Sequence, residues 1–215
     1  MTRLQRFGGF YFVTDAGLSR AGNASDVRSA IAAGATAVQY RAKERSARDM
    51  YHEAMALRAL CGATPFIVND RVDLALAVRA DGVHLGQDDV PCAVARRLVG
   101  DAAIVGVSVR CAAEAREAER TGADYVAVSP VFSTRTKRDA AAACGLEVVR
   151  QVREAVALPV VGIGGIDLGN ARGVIEAGAA CICAISATVC APEVEAEIRR
   201  FQALFTPGER PRDRR

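Results

Sequence analysis

The chain has only two histidines, His52 and His84, so catalysis built on an imidazole base has little to draw on. None of its seven cysteines (61, 92, 111, 144, 181, 183 and 190) belongs to a Cys-x-x-Cys pair or sits beside a histidine. An odd number cannot all pair within the chain. They fall in helix-like and strand-like runs and read as small buried hydrophobes, not as a disulfide framework or a zinc site. No apolar run reaches the 18 or so residues of a membrane-spanning helix, and no signal peptide opens the chain, which points to the cytoplasm. A large charge excess is missing too. The net charge is +3; residues 206–215 carry +2 of it, four Arg against Glu209 and Asp213, which leaves +1 for the body. That is too little for a nucleic-acid surface. Residues 207–215 are expected to be a basic, disordered tail behind one domain over residues 1–206. Subunit number is not set by these features, and a homo-oligomer stays open.

What the chain does have is alternation. Apolar runs with strand character lie at 9–14, 36–40, 65–69, 82–85, 104–109, 125–131, 159–162 and 180–184. Amphipathic segments with helical spacing separate them. Ser25 or Asp26 is expected to cap the first helix, and Ser46 with Asp49 resembles a capping box on the second. The phrases AGATAVQY, TGADYVAV and AGAACICA repeat one pattern, a helix end, a glycine and a buried strand. Eight strand–helix units in this length predict an α/β single-domain fold, a (β/α)8 TIM barrel. A doubly wound sheet, which commonly uses five or six strands, is the alternative.

In such a barrel the functional rim is the carboxyl end of the strands. The polar residues collected there are Gln39, Arg41 and Lys43 after strand 2, Asn69 and Asp70 after strand 3, and Gln87 and Asp89 after strand 4. Ser108 follows strand 5, Thr134, Thr136 and Lys137 follow strand 6, and Gly164–Gly165 and Ser186 follow strands 7 and 8. Asp70 and Asp89 suit an oxygen-ligand site for a hard cation such as Mg²⁺, or they are loop carboxylates that cap helices. Together with the cations they fit a pyrophosphate, its oxygens shared between Arg, Lys and a bridging metal. The Gly164–Gly165 turn and the following helix start offer a second anion site, or only a tight turn. His84 reads as a hydrogen-bonded core residue, and Asp15 and Asp88 as helix caps.

The segments VTD at 13–15, QYRAK at 39–43, NDRVDLALAVRADGVHLGQDD at 69–89, GVSV at 106–109, PVFSTRTK at 130–137 and GIGGI at 162–166 are together similar to the thiamine-phosphate synthase family. The resemblance runs to about residue 187 and is most specific in the middle block and the Thr-x-Thr-Lys loop. It implies a transferase that joins 4-amino-2-methyl-5-hydroxymethylpyrimidine diphosphate to 4-methyl-5-(2-phosphoethyl)thiazole, releasing thiamine monophosphate and pyrophosphate with Mg²⁺. It further implies that Gln39, Arg41, Lys43 and Asn69 bind the pyrimidine diphosphate and that Asp70 and Asp89 hold Mg²⁺. Ser108 and Lys137 would contact the diphosphate, Thr134 and Thr136 the thiazole phosphate, and Gly165, Ile185 and Ser186 the same phosphate through backbone N–H groups. Arg41, Lys43, Ser108 and Lys137 are then the catalytic set, and residues 132–144 are expected to close over the substrates.

Two positions depart from the family pattern: Arg110 stands where a His is common, and Ser129 where a Gly is. Two other functions share the resemblance. A thiazole tautomerase has no diphosphate to bind and needs neither Asp70 and Asp89 nor the loop lysine. A non-catalytic thiamine-phosphate-binding protein would keep the ligands without turnover.

Overall fold

The computed structural model describes residues 7–43, 45–134, 136 and 142–205. Its elements run β1 (Gly9–Val13), α1 (Asn23–Ala32), β2 (Ala37–Tyr40), α2 (Ala47–Cys61), β3 (Phe66–Asn69), α3 (Val72–Ala77), β4 (Gly82–Leu85) and α4 (Cys92–Val99). Then follow β5 (Ile104–Val109), α5 (Ala112–Arg120), β6 (Tyr125–Val128), α6 (Gly145–Ala155), β7 (Val160–Ile163), α7 (Ala171–Glu176), β8 (Cys181–Cys183), α8 (Ile185–Val189) and α9 (Val194–Ala203). The strands pair in parallel in chain order and β8 returns to β1, so the sheet is a closed barrel. This is the (β/α)8 fold the alternation predicts.

Closure explains why the strands read as nearly continuous apolar runs: both faces are covered. One set of alternate positions, including Phe10, Phe12, Val38, Phe66, Val83 and Val105, packs outward against the helices. The other set, Tyr11, Val13, Ala37, Ile67, Ile104, Tyr125, Ala127, Val161, Cys181 and Cys183, fills the barrel interior. Along this second set the chemistry changes toward the carboxyl ends. Ala37 gives way to Gln39 and Arg41, Ile67 to Asn69, Gly82 to His84, and Ile104 to Gly106 and Ser108. Because side chains alternate with a period of two, each of these steps stays on the inner face. The interior is therefore apolar below and polar at the mouth.

Several boundaries differ from the sequence expectation. Helix α1 starts at Asn23 with Gly22 at its N-cap, so neither Ser25 nor Asp26 caps it; Asp26 lies buried in the first turn. On α2 the Ser46 hydroxyl accepts from the Asp49 N–H at 3.1 Å, as expected. It also donates to the Asp49 carboxylate at 2.7 Å, so the reciprocal bond of a capping box is replaced by a side-chain contact. Strand β6 ends at Val128, because Pro130 has no N–H to give the ladder. The helix expected from Asp167 begins at Ala171, the Asp167 carboxylate being taken by the N–H groups of Gly169 and Asn170. The short α8 was not anticipated.

Candidate active site

A cavity of about 640 Å³ opens at the carboxyl ends of the strands, a size suited to small-molecule ligands. Gln39, Arg41, Lys43, Asn69, Asp70, Asp89, Ser108, Thr134, Thr136, Gly165, Ile185 and Ser186 all line it. Of the sequence-predicted site residues, Lys137 lies outside the described residues, as does much of the 132–144 interval.

Asp70 sits where β3 turns away from the barrel, at φ 63, a left-handed conformation that Asp tolerates better than most residues. Its N–H donates to the His84 carbonyl at 2.7 Å, which ties the turn to β4. Asp89 is held by the Gly86 N–H, which donates to Oδ2 at 2.7 Å. The two carboxyls are close enough to act on each other. Burial, and then the neighbouring Asp89, push the Asp70 carboxyl up to about 6, with Arg41 and Lys43 acting in the opposite sense. Two carboxylates drawn together at a partly buried point, with their repulsion only partly offset, fit a divalent cation. Among the described residues no group of three or more His, Cys, Asp or Glu side chains could hold a metal by itself. A cation here would rest on two carboxylates and the oxygens of its ligand, which suits Mg²⁺.

Arg41 stands at the end of β2 and pairs with Asp15 at 3.0 Å, NH1 to Oδ2. Asp15 is therefore not the helix cap the sequence suggested, although its Oδ1 does accept the Gly17 and Leu18 N–H groups of the turn. Asp88, also read as a cap, is exposed and lines the cavity, and α4 has no side-chain cap. Arg110 lines the same mouth from the end of β5, where its own N–H donates to the Glu114 carboxylate at 2.6 Å.

Beneath these charges runs a buried polar chain. Gln39 Nε2 donates to the Tyr11 hydroxyl at 2.9 Å, and the Tyr11 and Tyr125 hydroxyls are 2.8 Å apart. Tyr125 lies 2.8 Å from His84 Nδ1, and His84 Nε2 lies 2.9 Å from Ser108 Oγ. With Gln39 donating to Tyr11, every proton of the chain is used when Tyr11 gives to Tyr125, Tyr125 to Nδ1, and Nε2–H to Ser108. Burial pushes His84 down to about 4, so the ring is neutral and suited to relaying hydrogen bonds, not to carrying charge. His84 is thus hydrogen-bonded, as expected, but in the cavity wall. Sequence reading missed Tyr11 and Tyr125. The available signal was two phenols on inward positions of β1 and β6, with Gly106 opposite Tyr125: a Cβ there would overlap the Tyr125 ring.

Across the mouth, four strands round from β3, lies β7, with β8 beside it. Gly164 and Gly165 have φ of 99 and 63, and a Cβ on Gly165 would come within 2.5 Å of the Ser133 carbonyl oxygen. The turn therefore packs directly on the segment after β6. The turn is tight, as one reading expected, and it lines the cavity. Ile185 and Ser186 head α8, where backbone N–H groups lack intrahelical acceptors.

Fold and site together define a (β/α)8-barrel enzyme with one polar cavity at its mouth, lined from β2–β4 and from β7–β8. A sequence model of the thiamine monophosphate synthase family matches residues 10–188. The thiamine-phosphate synthase of Chloroflexus aurantiacus is 52% identical over 199 residues, 91% of this chain and 92% of that one. That of Methanosarcina barkeri is 50% identical over 193 residues, 89% of this chain and 88% of its own. Among solved structures, the thiamine phosphate pyrophosphorylase of Pyrococcus furiosus superposes with a TM-score of 0.85 at 40% identity, covering 94% of this chain and 96% of that one. The chain belongs to the thiamine monophosphate synthase family and is a transferase.

Proposed function

We propose that this enzyme joins 4-amino-2-methyl-5-hydroxymethylpyrimidine diphosphate to 4-methyl-5-(2-phosphoethyl)thiazole, giving thiamine monophosphate and pyrophosphate. The observation that supports this reading is one cavity lined by charged side chains from β2–β4 and by a glycine turn and a helix start from β7–β8. Asp70, Asp89, Arg41 and Lys43 stand at β2–β4, and Gly165, Ile185 and Ser186 at β7–β8. A diphosphate at the first and a monophosphate at the second bring two substrates face to face over the interior.

Asp70 and Asp89 would hold Mg²⁺, which would supply positive charge to the leaving pyrophosphate. Arg41 and Lys43, with Ser108 and the loop lysine Lys137, stabilise the negative charge that gathers on pyrophosphate as its C–O bond breaks. Gln39 and Asn69 hold the pyrimidine diphosphate, and Thr134 and Thr136, which line the same cavity, bind the thiazole phosphate. The methylene left on the pyrimidine is a cation, and the thiazole nitrogen attacks it with its own lone pair. No side-chain base is needed, which agrees with a neutral, fully engaged His84. The seven free thiols support a reducing, cytoplasmic setting.

The test is pyrophosphate release with both substrates, with and without Mg²⁺. Release that needs both substrates and the metal is expected. A tautomerase or a non-catalytic binding protein releases none.

A further inference from the structure

The geometry points to Asp15 as a positioning residue for Arg41, an inference that rests on Arg41 being a diphosphate contact. Strand β1 ends in Val13, yet its last two neighbours continue the β1–β2 junction by other means. The Thr14 N–H donates to the Gln39 carbonyl at 2.9 Å. The Thr14 hydroxyl, fully buried, then accepts the Arg41 N–H at 3.0 Å and donates to the Arg41 carbonyl at 3.3 Å. Thr14 thus pins the Arg41 backbone where the ladder has run out.

Asp15 does the same for the side chain. Its two oxygens are divided: Oδ1 takes the Gly17 and Leu18 N–H groups at 3.1 and 3.2 Å, and Oδ2 takes Arg41 NH1 at 3.0 Å. The carboxylate is therefore fixed by its own turn before it meets the arginine. Both side chains of the pair are mostly buried, 14% and 13% exposed. A guanidinium has five donors on a rigid plane, so one fixed bond at NH1 sets where the others point. Arg41 lines the cavity. Lys43, two residues on, is exposed and has no comparable tether among the described residues. Asp15 consequently presents Arg41 to the diphosphate in one orientation, without touching the substrate.

This reading and plain electrostatics predict opposite signs. Removing a negative charge beside an anion site should tighten the anion; removing a tether should loosen it. Asp15→Asn separates them, because the amide oxygen can still accept the turn N–H groups. The expected result is an unchanged melting temperature with KM for the pyrimidine diphosphate raised about tenfold. On an Arg41→Ala background the same change should add less than about twofold. Asp15→Ala should raise KM at least as far. An unaltered or lowered KM in Asp15→Asn, or a full effect without Arg41, overturns the proposal. Calorimetric titration of magnesium pyrophosphate into each variant reads the same loss without turnover. Side-chain NMR of the Arg41 Nε–H group needs no ligand at all: it should be ordered in the wild type and mobile in Asp15→Asn. Equal mobility in both overturns the proposal even if the wild type releases no pyrophosphate, a result that would instead sink the assigned reaction.

Discussion

Asp70 and Asp26 are both carboxyls raised by burial, but only one has a use for it. For Asp70 the folded value of about 6 lies above the ordinary 3.8. The charged form is thus penalised in the fold: stability is full below the unfolded value and falls as pH rises through about 6. Asp70→Asn should therefore melt higher than the wild type at pH 8 without metal, by about 2–4 °C if solvent screening leaves about 1 kcal/mol of the penalty. The gap should close toward pH 4 and when Mg²⁺ and pyrophosphate are added, while the variant loses turnover. Asp26 is 1% exposed, and neither of its oxygens has a partner in hydrogen-bond geometry among the described residues. Burial raises it too, with the nearby Ser19 side chain acting in the opposite sense. Asp26→Asn should likewise raise the melting temperature at high pH, but there Mg²⁺ and pyrophosphate should leave the gap as it was. Melting curves of the two variants from pH 4 to 8, with and without those ligands, check both.

Between elements, the β7–α7 turn shows how backbone shape serves the site. Gly165 needs φ 63 and has no room for a Cβ against Ser133 and Phe132. Gly165→Ala should cost about 1–3 kcal/mol of stability, read by denaturant unfolding. It should also raise KM for the thiazole phosphate more than for the pyrimidine diphosphate, since β7 and β8 stand opposite β2–β4. An equal rise in both would place the phosphate elsewhere. Asp89, fastened by the Gly86 N–H beyond β4, belongs to the other side. Asp89→Ala should abolish turnover and leave the circular-dichroism spectrum and fold intact; near-normal activity would remove it from the metal site.

For the molecule as a whole, the open mouth of the closed barrel gathers neighbouring carboxylates from β3–β4 and the start of α8 around one cavity. Ligands that complete it should stabilise the native state. At a hundredfold excess over Kd the gain is about 2.7 kcal/mol, about 5–10 °C for a chain of this size. Mg²⁺ and pyrophosphate together should give that shift in a thermal scan, and either alone much less. Equal shifts from pyrophosphate with and without metal would argue that Arg41 and Lys43 hold the anion unaided.

The amino-acid sequence by itself determined the eight-fold alternation, and hence the barrel, because local periodicity sets each element and a parallel strand needs a helix to return. It also determined which residues stand at strand ends, because strand parity carries the polar positions of Gln39, Asn69 and Ser108 inward. Only the tertiary structure decided how those ends meet. Tyr11 and Tyr125 are 114 residues apart and share a hydrogen bond, and Asp15 looked like a cap until closure set it against Arg41. Such pairings depend on register between strands and on the angle at which each loop leaves the barrel, and neither is encoded in any single segment.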